Sequence, residues 1–154
     1  MKQQWQTAGF SQLSQAQLYA LLQLRQQVFV VEQACVYLDL DDRDQQAVHM
    51  LCWQGEQLQA YQRCLAPGVS YPESSLGRIV VAPRARGLRL GKELVQRGIS
   101  HNLRHWPQSD IRINAQAYLN AFYSALGFTA DGQEYEEDGI AHVQMLYRRS
   151  AALE

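Results

Sequence analysis

The chain has 154 residues, 47% of them apolar or aromatic and 19% charged. One domain is expected at that length, burying roughly two-thirds of its unfolded surface, so folding needs neither disulfides nor a structural metal. Lys plus Arg number 14 and Asp plus Glu 15, a formal charge of −1, which leaves no basic excess for gripping a nucleic-acid backbone.

Ser14 precedes a segment in which Leu18, Leu21, Leu22, Arg25, Val28 and Phe29 recur at three- and four-residue spacing, predicting an amphipathic helix capped by Ser11 or Ser14. Its end, Val28-Phe29-Val30-Val31-Glu32-Gln33, has no polar face and so enters the core or lines a site. Leu38–Gln46 carries Asp39, Asp41, Asp42 and Asp44 and reads as a solvated loop. Val48–Trp53 and Gln57–Leu65 flank Gln54-Gly55-Glu56 as a hairpin. Pro67-Gly68 and Tyr71-Pro72 mark an irregular connection before Leu76–Ala82, a β-rich run stopped by Pro83. Leu88–Leu103 has helical spacing, Ile111–Ala115 alternates as a strand, and Ala117–Leu126 is helical up to Gly127, placed as a left-handed cap. Phe128–Tyr135 and Ala141–Arg148 are strand-like around Asp138-Gly139, a strong turn signal. The order strand, helix, three strands, helix, strand, helix, two strands predicts the α/β class: one mixed β-sheet flanked by helices, with a parallel crossover around residues 76–115.

No repeat or low-complexity stretch divides the chain, so residues 1–154 read as a single domain. Cys35, Cys52 and Cys64 form no Cys-x-x-Cys pair and read as reduced thiols in a cytoplasmic protein. The opening Met1-Lys2-Gln3-Gln4-Trp5-Gln6 lacks the apolar run of a signal peptide, and no window approaches the 18 or so apolar residues of a membrane span. The expectation is a soluble, cytoplasmic chain with neither a membrane nor a nucleic acid as partner. His101 and His105 stand four apart, but no third ligand accompanies them in that helix, so no metal is expected.

Between the strand at Leu76–Ala82 and the helix after it lies Arg84-Ala85-Arg86-Gly87-Leu88-Arg89-Leu90-Gly91-Lys92. The first turn of a helix offers unpaired N–H groups and about half a positive charge, which suits a pyrophosphate. Gly87 and Gly91 permit close backbone approach, and Arg84, Arg86, Arg89 and Lys92 add cations. An ordinary strand-to-helix connection with solvated arginines is the other reading of the same residues. A P-loop is excluded, because Gly-Lys-Ser/Thr is absent, and the three-glycine dinucleotide spacing fails.

The run Val80-Val81-Ala82-Pro83-Arg84-Ala85-Arg86-Gly87-Leu88-Arg89-Leu90-Gly91-Lys92-Glu93-Leu94 resembles the acetyl-CoA-binding segment of the GNAT N-acetyltransferases. Its Arg/Gln-x-x-Gly-x-Gly/Ala motif matches at Arg86 and Gly91, with Arg89 in place of the middle glycine. Nearly the whole chain is similar to the ElaA family of GNAT proteins, through Gln17–Arg25, Val28–Gln33, Gly77-Arg78, Ala115-Gln116-Ala117, Phe122-Tyr123, Gly127-Phe128 and Tyr135–Ile140. The resemblance implies a GNAT-like fold and acetyl transfer from acetyl-CoA (coenzyme A as carrier) directly to the primary amine of a small molecule or peptide. Pairing into a homodimer is compatible with it. By the same resemblance Ile79, Val80 and Val81 bind the pantetheine arm through their backbone. Arg86, Gly87, Leu88, Arg89, Leu90, Gly91 and Lys92 cradle the pyrophosphate, the Arg89 amide serving provided its φ is negative.

Attack requires a neutral amine, and the departing thiolate requires a proton. Tyr123, in Asn120-Ala121-Phe122-Tyr123, resembles the tyrosine that protonates the thiolate in this family, and Asn120 the asparagine that contacts the cofactor. A thiol pKa near 8.5 against a phenol near 10 makes that donor feasible. Candidate bases are Glu32, Glu136, Glu137 and His142, each also readable as a plain surface charge or satisfied polar residue. Glu32 and His142 are the catalytic candidates, and Phe29, Glu32, Glu136 and His142 face the acceptor. A non-catalytic acyl-CoA-binding module and a GNAT-like acyl synthase are the competing readings.

Overall fold

The structure, a computed structural model, describes residues 2–150. Among them eight strands form one sheet: β1 (Gln3–Gly9), β2 (Val48–Gln54), β3 (Gln57–Leu65), β4 (Ser74–Val81), β5 (Ile111–Gln116), β6 (Thr129–Ala130), β7 (Tyr135–Glu137) and β8 (Ile140–Tyr147). They lie in the order β1-β2-β3-β4-β5-β8-β6, with β7 on β8. Every pairing is antiparallel except β4 with β5, the parallel pair joined through a helix. The helices are α1 (Gln15–Arg25), α2 (Leu90–His105) and α3 (Asn120–Ala125). Tyr61 and Gln62, neighbours on β3, point to opposite faces. Arg25 of α1 lies 5.9 Å from the Tyr61 ring centre, whereas Gln62 Nε2 donates to the Leu94 carbonyl of α2 at 2.7 Å. The two helices therefore cover opposite faces, and the expected α/β mixed sheet is the one that forms.

Local chemistry fixes the ends. Ser14 Oγ accepts from the Gln17 amide at 3.1 Å while Gln17 Oε1 accepts from the Ser14 amide at 2.9 Å, a reciprocal cap on α1. Gly127, at φ 106°, ends α3 with Phe128 N–H on the Tyr123 carbonyl. A Cβ there would stand 2.8 Å from the Tyr147 ring, so the position needs both the conformation and the missing side chain. Asp138 and Gly139 both have positive φ and close the two-residue turn between β7 and β8.

Four expectations are corrected. α2 begins at Leu90 rather than Leu88, because Arg89 takes a left-handed φ of 59°; the condition placed on its φ fails. Ala117–Leu119 winds as a tight 3-10 turn before α3, shortening the expected helix. Phe128–Tyr135 is not one strand but the short β6 and β7, each held by a different stretch of β8. Leu38–Gln46 is not a solvated loop: Asp39 and Asp44 are buried. Arg25 reaches Asp39 and Asp44 at 2.7 Å each, and Arg63 reaches Asp44 at 2.9 Å and Asp41 at 2.7 Å. Arginines from α1 and β3 thus draw the loop against the sheet. All three cysteines are buried and free, and burial pushes the Cys64 thiol up to about 12, which keeps it protonated.

Candidate active site

β4 and β5 touch only at Ser74–Ile111 and Ser75–Arg112. Beyond that point they splay, and from Leu76 onward β4 pairs with β3 alone, leaving one backbone edge open. Tyr61 faces Val80 and Arg63 faces Gly77, so β4 spends one residue more than β3 over this stretch. Arg78, with φ 50°, sits in that bulge and donates from Nη2 to the Asp39 carbonyl at 2.9 Å. The buried loop network therefore holds the bulge in place. A cavity of about 780 Å³ occupies the split.

One end of the cavity is formed by Val81, Arg86, Gly91 and Phe122. A Cβ on Gly91 would meet the Val81 and Phe122 side chains at 3.6 and 3.7 Å, so this glycine keeps the strand-to-helix crevice open. The first amides of α2 have no intrahelical partner. A long acyl-carrier arm ending in a diphosphate fits these residues: open strand edge, glycine crevice and helix N-terminus in line. Of the expected cradle, Arg86 and Gly91 line the cavity together with Ile79, Val80 and Val81. Gly87, Leu88, Arg89 and Lys92 form the exposed rim, and Leu90 is buried beneath it. Arg84 is committed elsewhere, donating to the Leu58 carbonyl at 2.7 Å.

Glu32 and Arg86 meet at this mouth through two hydrogen bonds of 2.6 and 3.0 Å. Those bonds hold the Glu32 carboxyl below its usual range, the opposite of the raised pKa expected of a catalytic base. Asn120 is exposed at the start of α3 and does not line the cavity. Tyr123 does line it and is 5% exposed, its ring edge-on to Phe122 and Phe128. Burial keeps its phenol protonated, and among the described residues nothing hydrogen-bonds its hydroxyl.

Residues 26–32, which take in most of the run Val28–Gln33 without a polar face, continue α1 as a π-helix, with Gln33 N–H on the Val28 carbonyl. The widened turn brings Val28, Phe29, Glu32 and Gln33 to the cleft. Opposite, His142 lies across from Tyr135 and Gln116 in the sheet register. Its Nδ1–H donates to the Ile140 carbonyl at 2.8 Å, which leaves the lone pair of the neutral ring on Nε2, 3.8 Å from Glu137. Along β7 side chains alternate: Tyr135 and Glu137 both hydrogen-bond Asn114, while Glu136 points away from the cavity. Of the two expected glutamates, Glu137 lines the cavity and Glu136 does not. Sequence reasoning also missed Arg43, Arg63, Tyr71 and Asn114, which line the cleft from β3, β5 and loops; none sits in a motif, and only folding assembles them.

Residues 2–149 match the family model of the acetyltransferase (GNAT) domain. The chain belongs to the GNAT acetyltransferase family. It is 41% identical over 144 residues to protein ElaA of Escherichia coli, covering 92% of this chain and 94% of ElaA. A UPF0039 protein of Synechocystis is 40% identical over 149 residues, covering 96% of this chain and 97% of that one. Among solved structures, an acyl-CoA N-acyltransferase from Pseudomonas aeruginosa superposes with a TM-score of 0.91 at 38% identity over 96% of this chain and all of that one. The E. coli ElaA crystal structure gives 0.90 at 39% identity over the same shares. The fold is thus that of GNAT acyltransferases, and no helix among the described residues is long and apolar enough to cross a membrane.

Proposed function

We propose that the protein transfers acetyl from acetyl-CoA directly to a primary amine bound at the far end of the cleft. The observation that carries this reading is the single cavity that joins the open edge of β4 and the start of α2 to Tyr123 and His142. Acetyl-CoA supplies the activated thioester. The backbone of Ile79–Val81 holds the carrier arm along the open strand edge, and its N–H groups polarise the carbonyl. The amides of Leu90, Gly91 and Lys92, together with Arg89 and Lys92, hold the diphosphate. Arg89's left-handed backbone does not remove its N–H; it turns the chain into the helix where the motif otherwise uses glycine.

His142 Nε2 takes the proton of the incoming ammonium, and the carboxylate of Glu137 beside it steadies the imidazolium. The raised phenol pKa makes Tyr123 a neutral hydrogen-bond donor to the departing sulfur. Titration calorimetry with coenzyme A and a thiol-release assay over an amine panel test the proposal. Micromolar binding and amine-dependent release are expected, with Tyr123→Phe lowering kcat about a hundredfold and leaving coenzyme A affinity within twofold. Absence of heat on adding coenzyme A to folded protein overturns the reading; binding without release with any amine leaves an acyl-CoA-binding module instead.

A further inference from the structure

The acceptor end of the cleft has two unlike walls. The β5, β7 and β8 side presents Glu137, Asp138 and His142, where an ammonium is attracted and deprotonated. The opposite side, from β3, β4 and the loop before β2, presents Arg43, Arg63 and Arg78 around the single carboxylate of Asp41. Arg25, Arg63 and Arg78 are matched by Asp39, Asp41 and Asp44 in the buried network. Arg43 is the cation in excess: its ion pair, to Asp41, is 3.7 Å long and its side chain is 44% exposed. Asp42, its neighbour, lies outside the cavity lining.

Arg63 adds a second donor. It is 3% exposed, its Nη atoms are bound by Asp41 and Asp44, and its Nε–H is buried with no hydrogen-bond partner among the described residues. An unpaired buried N–H is a standing cost that a suitably placed acceptor oxygen removes. The residue facing Arg63 across the register is Gly77. Apart from its chain neighbours, and among the described residues, a Cβ there would come near Arg63 Nε alone, at 3.9 Å. Gly77 is not among the glycines with positive φ, so its backbone does not demand glycine; a side chain here would stand against that N–H.

We infer that the acceptor is an amine that also carries a carboxylate, a small amino-acid-like zwitterion, its carboxylate seated over Gly77 between Arg63 Nε and Arg43 and its amine toward Glu137 and His142. This rests on the transferase reading and names its substrate class. The carboxylate accepts the orphan N–H and meets the unmatched guanidinium, while the opposed charges of the two walls orient the molecule with its amine at the thioester. A diamine places its second cation against Arg43 and is rejected.

The test uses matched acceptors: the common amino acids, each with its carboxamide and its decarboxylated amine. Thiol release and the shift in Tm with coenzyme A present are both read. The best acceptors are expected in the carboxylate form, with kcat/KM at least tenfold above both counterparts and the difference mainly in KM. Arg43→Gln is expected to narrow that ratio at least fivefold. Gly77→Ala does the same by occupying the seat, and its Cβ makes only an ordinary contact, so the variant folds. Carboxamides or plain amines that match or exceed the acids overturn the inference. So does a carboxylate preference that survives both substitutions, or a panel in which no member turns over or shifts Tm. Coenzyme A binding measured on the same samples separates the two failures: loss of that heat defeats the transferase reading, whereas a carboxylate-dependent Tm shift still supports this seat.

Discussion

Glu32 and Arg86 lie 54 residues apart and were assigned from the sequence to different tasks, base and phosphate ligand, yet they are bound to each other at the mouth of the cleft. The carboxylate therefore competes with any phosphate for the same guanidinium. Glu32→Gln is expected to release Arg86 and tighten coenzyme A binding severalfold at low ionic strength, the gain shrinking as salt screens the charges. Calorimetry at two salt concentrations checks this. A variant that loses turnover with unaltered affinity returns Glu32 to the role of base. Tyr123 and His142, candidates on sequence because one sits in a helix motif ending at Gly127 and the other beside an Asp-Gly turn, both line the cleft. That Glu137 rather than Glu136 lines the cleft could not be read there, since strand alternation is known only once β7 has a register with β8.

Secondary elements with strong local chemistry could be read directly: the Ser14 cap, the hairpin around Gly55, the α3 stop at Gly127 and the turn at Asp138-Gly139 are each decided by a few neighbouring residues. The segment Leu38–Gln46 was misread because four aspartates in a row of six positions look solvated until their partners are known. Those partners, Arg25 and Arg63, come from α1 and β3. Burial opposes the charge on Arg25, but the bond to Asp44 and the field of the neighbouring groups outweigh it and raise its pKa. Arg25→Ala would leave Asp39 and Asp44 buried with less compensation. The expected loss is about 3–5 kcal/mol of stability, measured by urea denaturation. A change below ~1 kcal/mol would mean that water replaces the guanidinium at little cost.

Over the whole molecule the buried polar groups set a pH dependence. Burial holds the His49 pKa below its ordinary value, with Nε2–H on the Asp44 carbonyl at 2.8 Å and Nδ1 accepting from Tyr61; burial acts in the same direction on His101. A depressed folded pKa means that these groups' contribution is intact above about 6.5 and is lost as pH falls below it. For Asp41 and Asp44 burial would raise the pKa, but their arginines prevail and lower it. Their contribution is intact above about 4 and disappears as pH drops further. Urea midpoints are therefore expected to be level from pH 8 to 7, to decline between 6.5 and 5, and to fall more steeply below 4. A midpoint that stays flat from 7 to 5 contradicts the buried neutral imidazoles.

Element order and the strand-to-helix turn at Arg86–Gly91 are written locally, because hydrophobic period, caps and turn residues act over a handful of neighbours, and the family is carried by motifs resembling those of its members. Where β4 and β5 part, the holding of Arg86 by Glu32, and the gathering of Arg43, Arg63 and Glu137 into the lining of one cleft follow from packing alone. Those outcomes depend on contacts between residues 30 to 100 positions apart, and no local pattern encodes which charge will be buried beside which.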